Sequence, residues 1–358
     1  MRHLLRSSVA LLGLGLLAGC ANVSGPQQAS GKPWDIRAVV LTTYEIGQDS
    51  GDRAGEFQPW VEGEKLTEKV AFPAGVHDIY TDPAHHILYV VTGTTLSPAA
   101  SSVTALGMDP RFDLTKAYWI VSAISGFDQQ AASVGSVSWA DYVVSDISKY
   151  IDPREAPKNW PYGYYMITAE KPNQYVTSGG DGPDGSIDHA MSYKLNPALV
   201  KWAYDLTKDL QLEDSPALAA ERKRRTTKAA KQLPSVVIGG DFASDAFWHG
   251  RIMTQFARDW VKMVSQNQSQ FVESNMEDAG VMEAMKRLTR AGRADINRVL
   301  ISRSASNYTE QAPGQTAVQS ANDSFSGEAQ ALENGYRVAA KALHEIVDNW
   351  PRFENGVH

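Results

Sequence analysis

The sequence predicts an α/β fold, in which a mostly parallel central β-sheet is covered by helices on both faces. Three observations lead to this expectation. Short apolar runs typical of buried strands alternate with longer segments whose apolar residues recur at helical spacing. Neither an internal repeat nor a long linker interrupts this alternation. The chain has 358 residues and is 43% hydrophobic, which suits one large α/β body.

Six short runs are predicted to be strands. They are rich in Val, Ile, Tyr and Trp, the residue types that favour a pleated, buried surface. Each ends in small or polar residues, as strands do when they lead into loops. The predicted strands are 36–42, 87–93, 117–123, 136–144, 236–240 and 299–302.

Five segments are predicted to be helices because their apolar residues fall on one face. In the last segment, for example, Leu332, Tyr336 and Leu343 share a face. The predicted helices are 99–106, 197–210, 252–264, 279–288 and 331–350.

The N-terminal region differs from the rest of the chain. Basic residues precede a short apolar run, and Cys20, the only cysteine, follows at the position of a bacterial lipobox. We therefore expect a lipoprotein signal peptide over 1–20 with lipid attached to Cys20, a flexible tether over 21–33 and a single domain over 34–358. An ordinary secretory signal with a chance cysteine is the alternative. The first interpretation predicts a bacterial envelope protein on the periplasmic side, anchored to the outer membrane.

Charge and composition exclude several classes of function. The formal net charge of −7 argues against a nucleic-acid partner. No apolar run after Cys20 is long enough to cross a bilayer. The basic run at 222–231 is interpreted as a solvated helix face rather than a binding patch. The acidic loop at 181–188 lacks the spacing of a calcium loop, so we expect a plain turn there and no metal.

Candidate ligand-binding residues follow the first three predicted strands. Glu45 follows the first strand, Gly93 and Thr94 the second, and Phe127 the third. In an open α/β sheet, ligands bind at these carboxyl ends. Phe127 offers a face for an aromatic base. A solvated loop acid and a core aromatic are the alternatives for Glu45 and Phe127.

A second group of candidates lies in the C-terminal third. Asp241 ends a predicted strand, and Phe247 and Trp248 offer aromatic faces for a flat heteroaromatic ligand. His249 can hydrogen-bond such a ligand, or it can be a structural residue at a helix start.

A Met-Glu pair, Met276 and Glu277, completes this group. The methionine can pack against the face of a sugar, and the carboxylate can accept hydrogen bonds from two sugar hydroxyls.

The order and spacing of these motifs resemble the nucleoside phosphorylase and nucleosidase superfamily. Within it, most of the chain, from about Ile36 to Trp350, looks like the purine nucleoside permease family. The motifs that carry this likeness are Trp-His-Gly at 248–250, Glu-Asp at 277–278, Arg-Ser-Ala-Ser-Asn at 303–307 and Pro-Gly-Gln-Thr-Ala at 313–317. The resemblance implies a three-layer phosphorylase-like fold with a twisted, mixed central sheet, and a purine nucleoside as ligand.

The resemblance also implies roles for individual residues. Met276 and Glu277 match the superfamily's ribose-binding pair. Asn307 falls where many members carry an Asp that protonates the purine leaving group. An amide can hydrogen-bond the base but cannot act as a general acid.

Phosphorolysis needs a phosphate pocket, typically built from Arg and backbone N–H groups. The loop at 93–98 has no Arg or Lys, and only Arg53 and Arg111, elsewhere in the chain, are candidates. The pattern is closer to the hydrolytic nucleosidases, in which the strand-end acid, here Glu45, polarises a water. Phosphate stays possible as a co-substrate, and no other cofactor is expected.

Three functions compete at this point. The main prediction is an uptake-associated envelope lipoprotein that binds purine nucleosides without forming a pore itself. The alternative is a nucleosidase or nucleoside phosphorylase that cleaves the N-glycosidic bond. A structural lipoprotein with an inactive ancestral site is the third. Since superfamily relatives are often oligomeric, a homo-oligomer is possible.

Overall fold

A ten-stranded mixed β-sheet organises the computed structural model, which describes residues 31–177, 190–323 and 325–357. Two small two-stranded sheets accompany it. The strands, numbered in chain order, are β1 Trp34–Asp35, β2 Ala38–Thr42, β3 Glu68–Val70, β4 Ile79–Thr81, β5 Ile87–Val91, β6 Phe112–Asp113, β7 Tyr118–Phe127, β8 Val137–Ser145, β9 Ser148–Tyr150, β10 Tyr164–Met166, β11 Ser192–Lys194, β12 Val236–Ala243, β13 Phe271–Asn275 and β14 Val299–Tyr308.

The large sheet is partly closed. Its strand order is β11-β8-β12-β13-β7-β2-β5-β4-β3, and β14 pairs with both β7 and β8. Strands β8, β12, β13, β7 and β14 therefore form a ring, each bonded to the next. The central strands β2, β5, β7, β12 and β14 make long parallel ladders, and the outer strands β3, β4 and β11 pair antiparallel.

Helices cover the sheet. They are α1 Gln58–Gly63, α2 Leu96–Met108, α3 Pro197–Thr207, α4 Pro216–Arg224, α5 Arg251–Val264, α6 Asp278–Arg290, α7 Ala317–Ala321, α8 Glu328–Asp348 and α9 Trp350–Phe353. Helix α8 packs on β14 and β7, α5 packs on β12 and β13, and α2 packs against α6. Every residue of β2 and β5 is buried, so both faces of these strands are covered. The predicted α/β class is confirmed.

Local chemistry explains where these helices begin. Helix α3 starts at Pro197, whose fixed φ suits a first helical position, after Asn196. The Asn196 side chain accepts the backbone N–H of Ala198 at 3.0 Å, which caps the helix. Helix α5 buries Phe256 and Trp260, which fall at helical spacing, in a core cluster under β12 and β13.

The predicted elements match the structure in kind. All six predicted strands and five predicted helices are present, with ends shifted by a few residues. Three strands run at least three residues further than predicted: β7 continues to Phe127, β12 to Ala243 and β14 to Tyr308. Strand β13, Phe271–Asn275, was not predicted, because Glu273, Ser274 and Asn275 break its apolar run.

The predicted signal peptide, the tether up to residue 30 and the lipid-attachment residue Cys20 lie outside the described residues, as does the acidic loop at 181–188. Those assignments stay predictions. In the ranges that the structure describes, no helix combines the length and the apolar character needed to cross a bilayer.

Candidate functional site

The candidate site lies where the loops after β5, β12 and β13 meet. The backbone N–H of Thr95, just before α2, donates to Oε1 of Glu277 at 3.2 Å. The next N–H, that of Leu96, donates to Oδ1 of Asp245 at 2.8 Å. Carboxylates from two other loops thus bind the N-terminal end of α2, as expected for the positive end of a helix dipole.

Thr95 adopts an unusual backbone conformation. Its φ is 77°, in a region that a β-branched residue rarely occupies. Gly93, with φ of 87°, and the exposed Thr94 form the turn that leads to it. Strained residues of this kind persist where the surrounding contacts fix them, and here the contact is with Glu277.

Glu277 stands at the start of α6 and is only 5% exposed. Its position is set by Asn275, whose side-chain oxygen accepts the backbone N–H groups of Glu277 and Asp278, both at 3.0 Å. Oε2 of Glu277 accepts a hydrogen bond from Arg303 at 3.1 Å. The carboxylate predicted to bind ribose therefore accepts hydrogen bonds from the backbone N–H of Thr95, from that of Met276 at 3.2 Å and from Arg303 before any ligand arrives.

Arg303 is a buried arginine on β14, 1% exposed. It forms a two-point ion pair with Asp278, at 2.8 and 2.7 Å, and donates to the carbonyl of Ile124 at 2.9 Å. Burial works against the charge of the guanidinium, but Asp278 and Glu277 raise its pKa well above the ordinary value. Such a planar, two-point pair is the geometry that lets an arginine stay charged inside a protein.

Glu56 is a site residue that the sequence analysis missed. It is 4% exposed, and its Oε2 accepts the backbone N–H and the hydroxyl of Thr43, both at 2.7 Å. Oε1 accepts the N–H of Ile124 at 2.7 Å, and Ile124 in turn bonds Arg303. Burial raises the pKa of Glu56 from 4.5 to about 7, against the opposing effect of Arg303 and with a further rise from Glu277. No sequence signal separates this acid from others in its loop.

Glu45, the sequence candidate for polarising a water, is used differently. Its carboxylate accepts four backbone N–H groups, at 2.5 to 2.8 Å. The donors are Ile46, Gly55, Phe57 and Gln58. These bonds fold the segment between β2 and α1 back on itself and so place Glu56. The structure brings Glu56, and not Glu45, next to the Glu277 and Arg303 pair.

A small cavity adjoins Glu277 through its neighbour Met276. It encloses about 40 Å³, well below the volume of typical small-molecule sites, so its walls have to move apart to admit a ligand of nucleoside size. Its walls combine apolar side chains with a few polar groups. The lining residues are Gly126, Ala246, Phe247, Trp248, Ser274, Asn275, Met276, Asn307 and Thr309. Of the sequence candidates, the structure thus brings Phe247, Trp248, Met276 and Asn307 together.

Asn307 lies at the end of β14 and reaches this cavity and a neighbouring one. Its amide nitrogen donates to the carbonyl of Tyr308 at 3.1 Å, and its oxygen accepts from the Ser306 hydroxyl at 2.9 Å. One amide hydrogen and one oxygen lone pair remain for a ligand, enough to hydrogen-bond a purine edge.

Two buried polar atoms, one on the cavity wall and one on the residue that follows it in the chain, have no hydrogen-bond partner among the described residues. They are Nε1 of Trp248 and Nε2 of His249. Burial, followed by the nearby Arg225, lowers the pKa of His249, so its ring is neutral at pH 7. Phe247 is 55% exposed at the cavity mouth and stacks on Phe325 with ring centroids 6.4 Å apart. Because both atoms are buried, a ligand reaches them only if the neighbouring side chains move.

Two other candidates lie away from the cavity. Phe127 is fully buried in a small apolar cluster with Ala132, Val272 and Ala305, which fits the alternative of a core aromatic. Asp241 is also fully buried, and its Oδ1 accepts from Asn275 at 2.5 Å. Neither side chain lines the cavity.

The two arginines considered for phosphate are engaged elsewhere. Arg53 pairs with Glu328 at 3.0 Å, and Arg111 pairs with Asp109 at 2.6 Å. In the part of the chain that the structure describes, no cluster of three or more His, Cys, Asp or Glu is arranged to hold a metal ion.

Comparison with known proteins fits this geometry. The family model described as purine nucleoside permease matches residues 35–358. The chain belongs to the purine nucleoside permease family. A purine nucleoside permease of Candida albicans is 26% identical over 344 residues, covering 92% of this chain and 80% of that protein. A protein of Schizosaccharomyces pombe, named a probable purine nucleoside permease, is 28% identical over 274 residues, covering 76% and 79%.

A solved structure shows the same fold as this purine nucleoside permease family member. The futalosine hydrolase of Helicobacter pylori superposes with a TM-score of 0.50 and 12% identity, covering 87% of this chain and 98% of that one. At this identity the likeness concerns the fold alone, and it confirms the predicted phosphorylase-like architecture.

The predicted location is contradicted. The N-terminal sequence pattern predicts a bacterial envelope protein on the periplasmic side, anchored to the outer membrane as a lipoprotein. The named relatives are fungal proteins, from Candida albicans and Schizosaccharomyces pombe, and they point away from that location. That prediction rests only on the short N-terminal pattern around Cys20.

Proposed function

We propose that this family member binds a purine nucleoside, with the ribose on Glu277 and Met276 and the base between Phe247, Trp248 and Asn307. The observation that carries the proposal is the fixed Glu277 carboxylate beside a cavity with an aromatic wall. Because Thr95, Asn275 and Arg303 already hold this acid or its backbone, little ordering entropy is lost when hydroxyls bind to it.

The biological role follows from the family. The relatives in Candida albicans and Schizosaccharomyces pombe are named as purine nucleoside permeases, which supports a role connected with nucleoside transport. We place this chain at the binding step of such a process.

The test is direct binding. Inosine, adenosine and guanosine are titrated into the full chain by calorimetry, and the melting temperature is followed at saturating ligand. Binding of at least one purine nucleoside, with uridine as the weaker control, is the expected result. Equal or absent binding for all four would remove the proposal.

Hydrolysis of the N-glycosidic bond is the second candidate, and Glu56 is the observation that favours it. A buried carboxyl whose pKa is raised to about 7 is suited to general base catalysis near neutral pH. In this reaction Glu56 takes a proton from water as the water oxygen bonds to the anomeric carbon. The bond from that carbon to the purine nitrogen breaks, and the base leaves with the bonding electron pair and takes up a proton from solvent.

Asn307 limits this chemistry. Its amide can hydrogen-bond the departing base but cannot protonate it. Hydrolysis by this site is therefore expected to be slower than with an acid at position 307. Chromatographic detection of free hypoxanthine from inosine decides between binding alone and binding followed by cleavage.

A further inference from the structure

Two buried acids, Asp241 and Glu273, lie side by side on neighbouring strands of the sheet. Asp241 on β12 and Glu273 on β13 are direct partners across the parallel ladder, so their side chains share one side of the sheet. Both residues have 0% exposure. Oδ2 of Asp241 and Oε2 of Glu273 lack a hydrogen-bond partner among the described residues. Two ionised carboxylates in this position would repel each other with no solvent between them.

The acidic groups around this pair outnumber the basic groups. Asp278 at the start of α6 and Arg303 on β14 face Asp241, and Glu277 and Glu56 share the same arginine. Five carboxyl groups thus surround one guanidinium. The arginine is committed to Asp278 and Glu277, at 2.7 to 3.1 Å. Some of the remaining carboxyl groups must be neutral at pH 7, because the interior does not tolerate several unpaired charges.

Asp241 is the group best placed to hold a proton. Burial raises the pKa of its carboxyl well above the ordinary value, and Glu273 and then Asp278 add to the rise. Its Oδ1 is occupied by the amide of Asn275 at 2.5 Å, which leaves Oδ2 to carry the hydrogen. Asp278 stands close by, because the same Asn275 side chain bonds Asp241 and the backbone N–H of Asp278. A side-chain hydrogen bond with Asp278 is also among the causes that raise the pKa of Asp241. Burial also raises the pKa of Glu273, to about 8, but its Oε1 accepts from the Ser138 hydroxyl at 3.3 Å.

We propose that Asp241 is a neutral carboxylic acid that donates a hydrogen bond to Asp278 and thereby positions Arg303 and Glu277. The chain of contacts runs from Asp241 to Asp278, then through the two-point ion pair to Arg303, and from Arg303 to Glu277. Asp241 touches no ligand and is a positioning residue. Only the last step, the effect on nucleoside affinity, rests on the proposed function.

An asparagine at position 241 imitates the neutral acid. Its oxygen can accept from Asn275, and its amide can donate to Asp278, without a proton that titrates. Leucine has a similar size but can do neither. The two variants, D241N and D241L, therefore separate the hydrogen bond from the mere presence of a side chain.

The first experiment needs no ligand. The folding equilibrium constants of the wild type, D241N and the exposed control D209N are measured by urea unfolding from pH 5 to pH 8. An acid with a raised pKa in the folded state holds a proton that the unfolded chain has lost, so the wild type loses stability as pH rises above about 4. The ratio of the D241N constant to the wild-type constant is expected to rise up to tenfold per pH unit. A ratio that stays flat, as for D209N, would overturn the proposal.

The second experiment measures inosine affinity. D241N is expected to bind as the wild type does, and D241L and D278N at least about tenfold more weakly. If D241N is as weak as D241L while still folded, the neutral-donor role is wrong. If even the wild type fails to bind inosine, the proposed function fails, whereas the unfolding series still decides the protonation of Asp241.

Discussion

The backbone N–H of Thr95 donates to the carboxylate of Glu277 at 3.2 Å, across 182 residues of sequence. A free helix N-terminus attracts anions such as phosphate. At α2 that position is taken by protein carboxylates, those of Glu277 and Asp245. An incoming phosphate would have to displace them and then remain beside them.

This arrangement predicts that phosphate does not take part. Purine nucleoside binding, and any release of free base, should be the same in phosphate buffer as in a zwitterionic buffer of equal ionic strength. The measurement is chromatography of inosine mixtures, with calorimetry alongside. Formation of ribose 1-phosphate would show that phosphate enters the site after all.

Glu277→Gln should weaken nucleoside binding. The glutamine amide has no charge to strengthen the hydrogen bonds from sugar hydroxyls, and it cannot form an ion pair with Arg303. We expect a loss of about 2 kcal/mol in binding free energy, measured by calorimetry.

Glu155→Gln is the matched control, because Glu155 is exposed and lies far along the chain from the site. It should bind as the wild type does. The prediction is wrong if Glu277→Gln, correctly folded by circular dichroism, binds with the same affinity as this control.

Glu56→Gln should change the dependence of stability on pH. In the native protein the pKa of Glu56 is raised from 4.5 to about 7, so the folded chain keeps a proton that the unfolded chain loses in this range. Between pH 4.5 and about pH 7, the free energy of unfolding of the wild type should therefore fall by about 3 kcal/mol because of this residue. The variant has no titrating group at position 56 and should not show that fall. Urea unfolding at a series of pH values measures it.

The same variant tests the hydrolytic candidate. If Glu56 is the general base, base release by the wild type rises as pH passes about 7, since the carboxylate form is the active one. Glu56→Gln should then lose a factor of about 100 or more in turnover with its nucleoside affinity kept. Turnover that survives in the variant would assign the base to another residue.

Glu45→Gln should act on the fold. The four backbone N–H groups that bond Glu45 lose a charged acceptor. The NH₂ group of the new glutamine side chain would also point at N–H groups, which are donors themselves. We expect a loss of about 2 to 4 kcal/mol in unfolding free energy and faster proteolysis between residues 46 and 55. The control is Glu155→Gln, an exposed acid outside this segment. Unchanged stability with lost turnover would restore the sequence-based role of Glu45 in polarising water.

Much of the fold could be predicted from the sequence, because most strands are apolar runs. Such a run is recognised as a strand without knowing which other strands lie beside it. Strand β13 escaped prediction for a physical reason. Its Glu273 and Asn275 are buried with polar partners from β8 and β12, and those partners come from distant parts of the chain. The same holds for the extension of β14 through Arg303. Strands that carry a site are the ones whose pattern departs from plain hydrophobic burial.

Part of the candidate site could be proposed from the sequence. The motif around Met276 and Glu277 is short and local, so the residues stand together in the sequence as they do in space. Glu56 could not be found in this way, because its place depends on a loop that Glu45 folds back through backbone hydrogen bonds. The ion pair between Arg303 and Asp278 also depends on the closing of β14 against β7.

The ring formed by β8, β12, β13, β7 and β14 has a consequence for the motions of the protein. A strand in a closed ring has hydrogen-bonded neighbours on both sides, so it cannot peel away as an edge strand can. Amide hydrogens of β14 should therefore be among the slowest to exchange with deuterated water, released only when the whole domain opens. Asp241, Glu273 and Arg303 lie on strands of this ring, so they belong to the part of the molecule that is expected to open last.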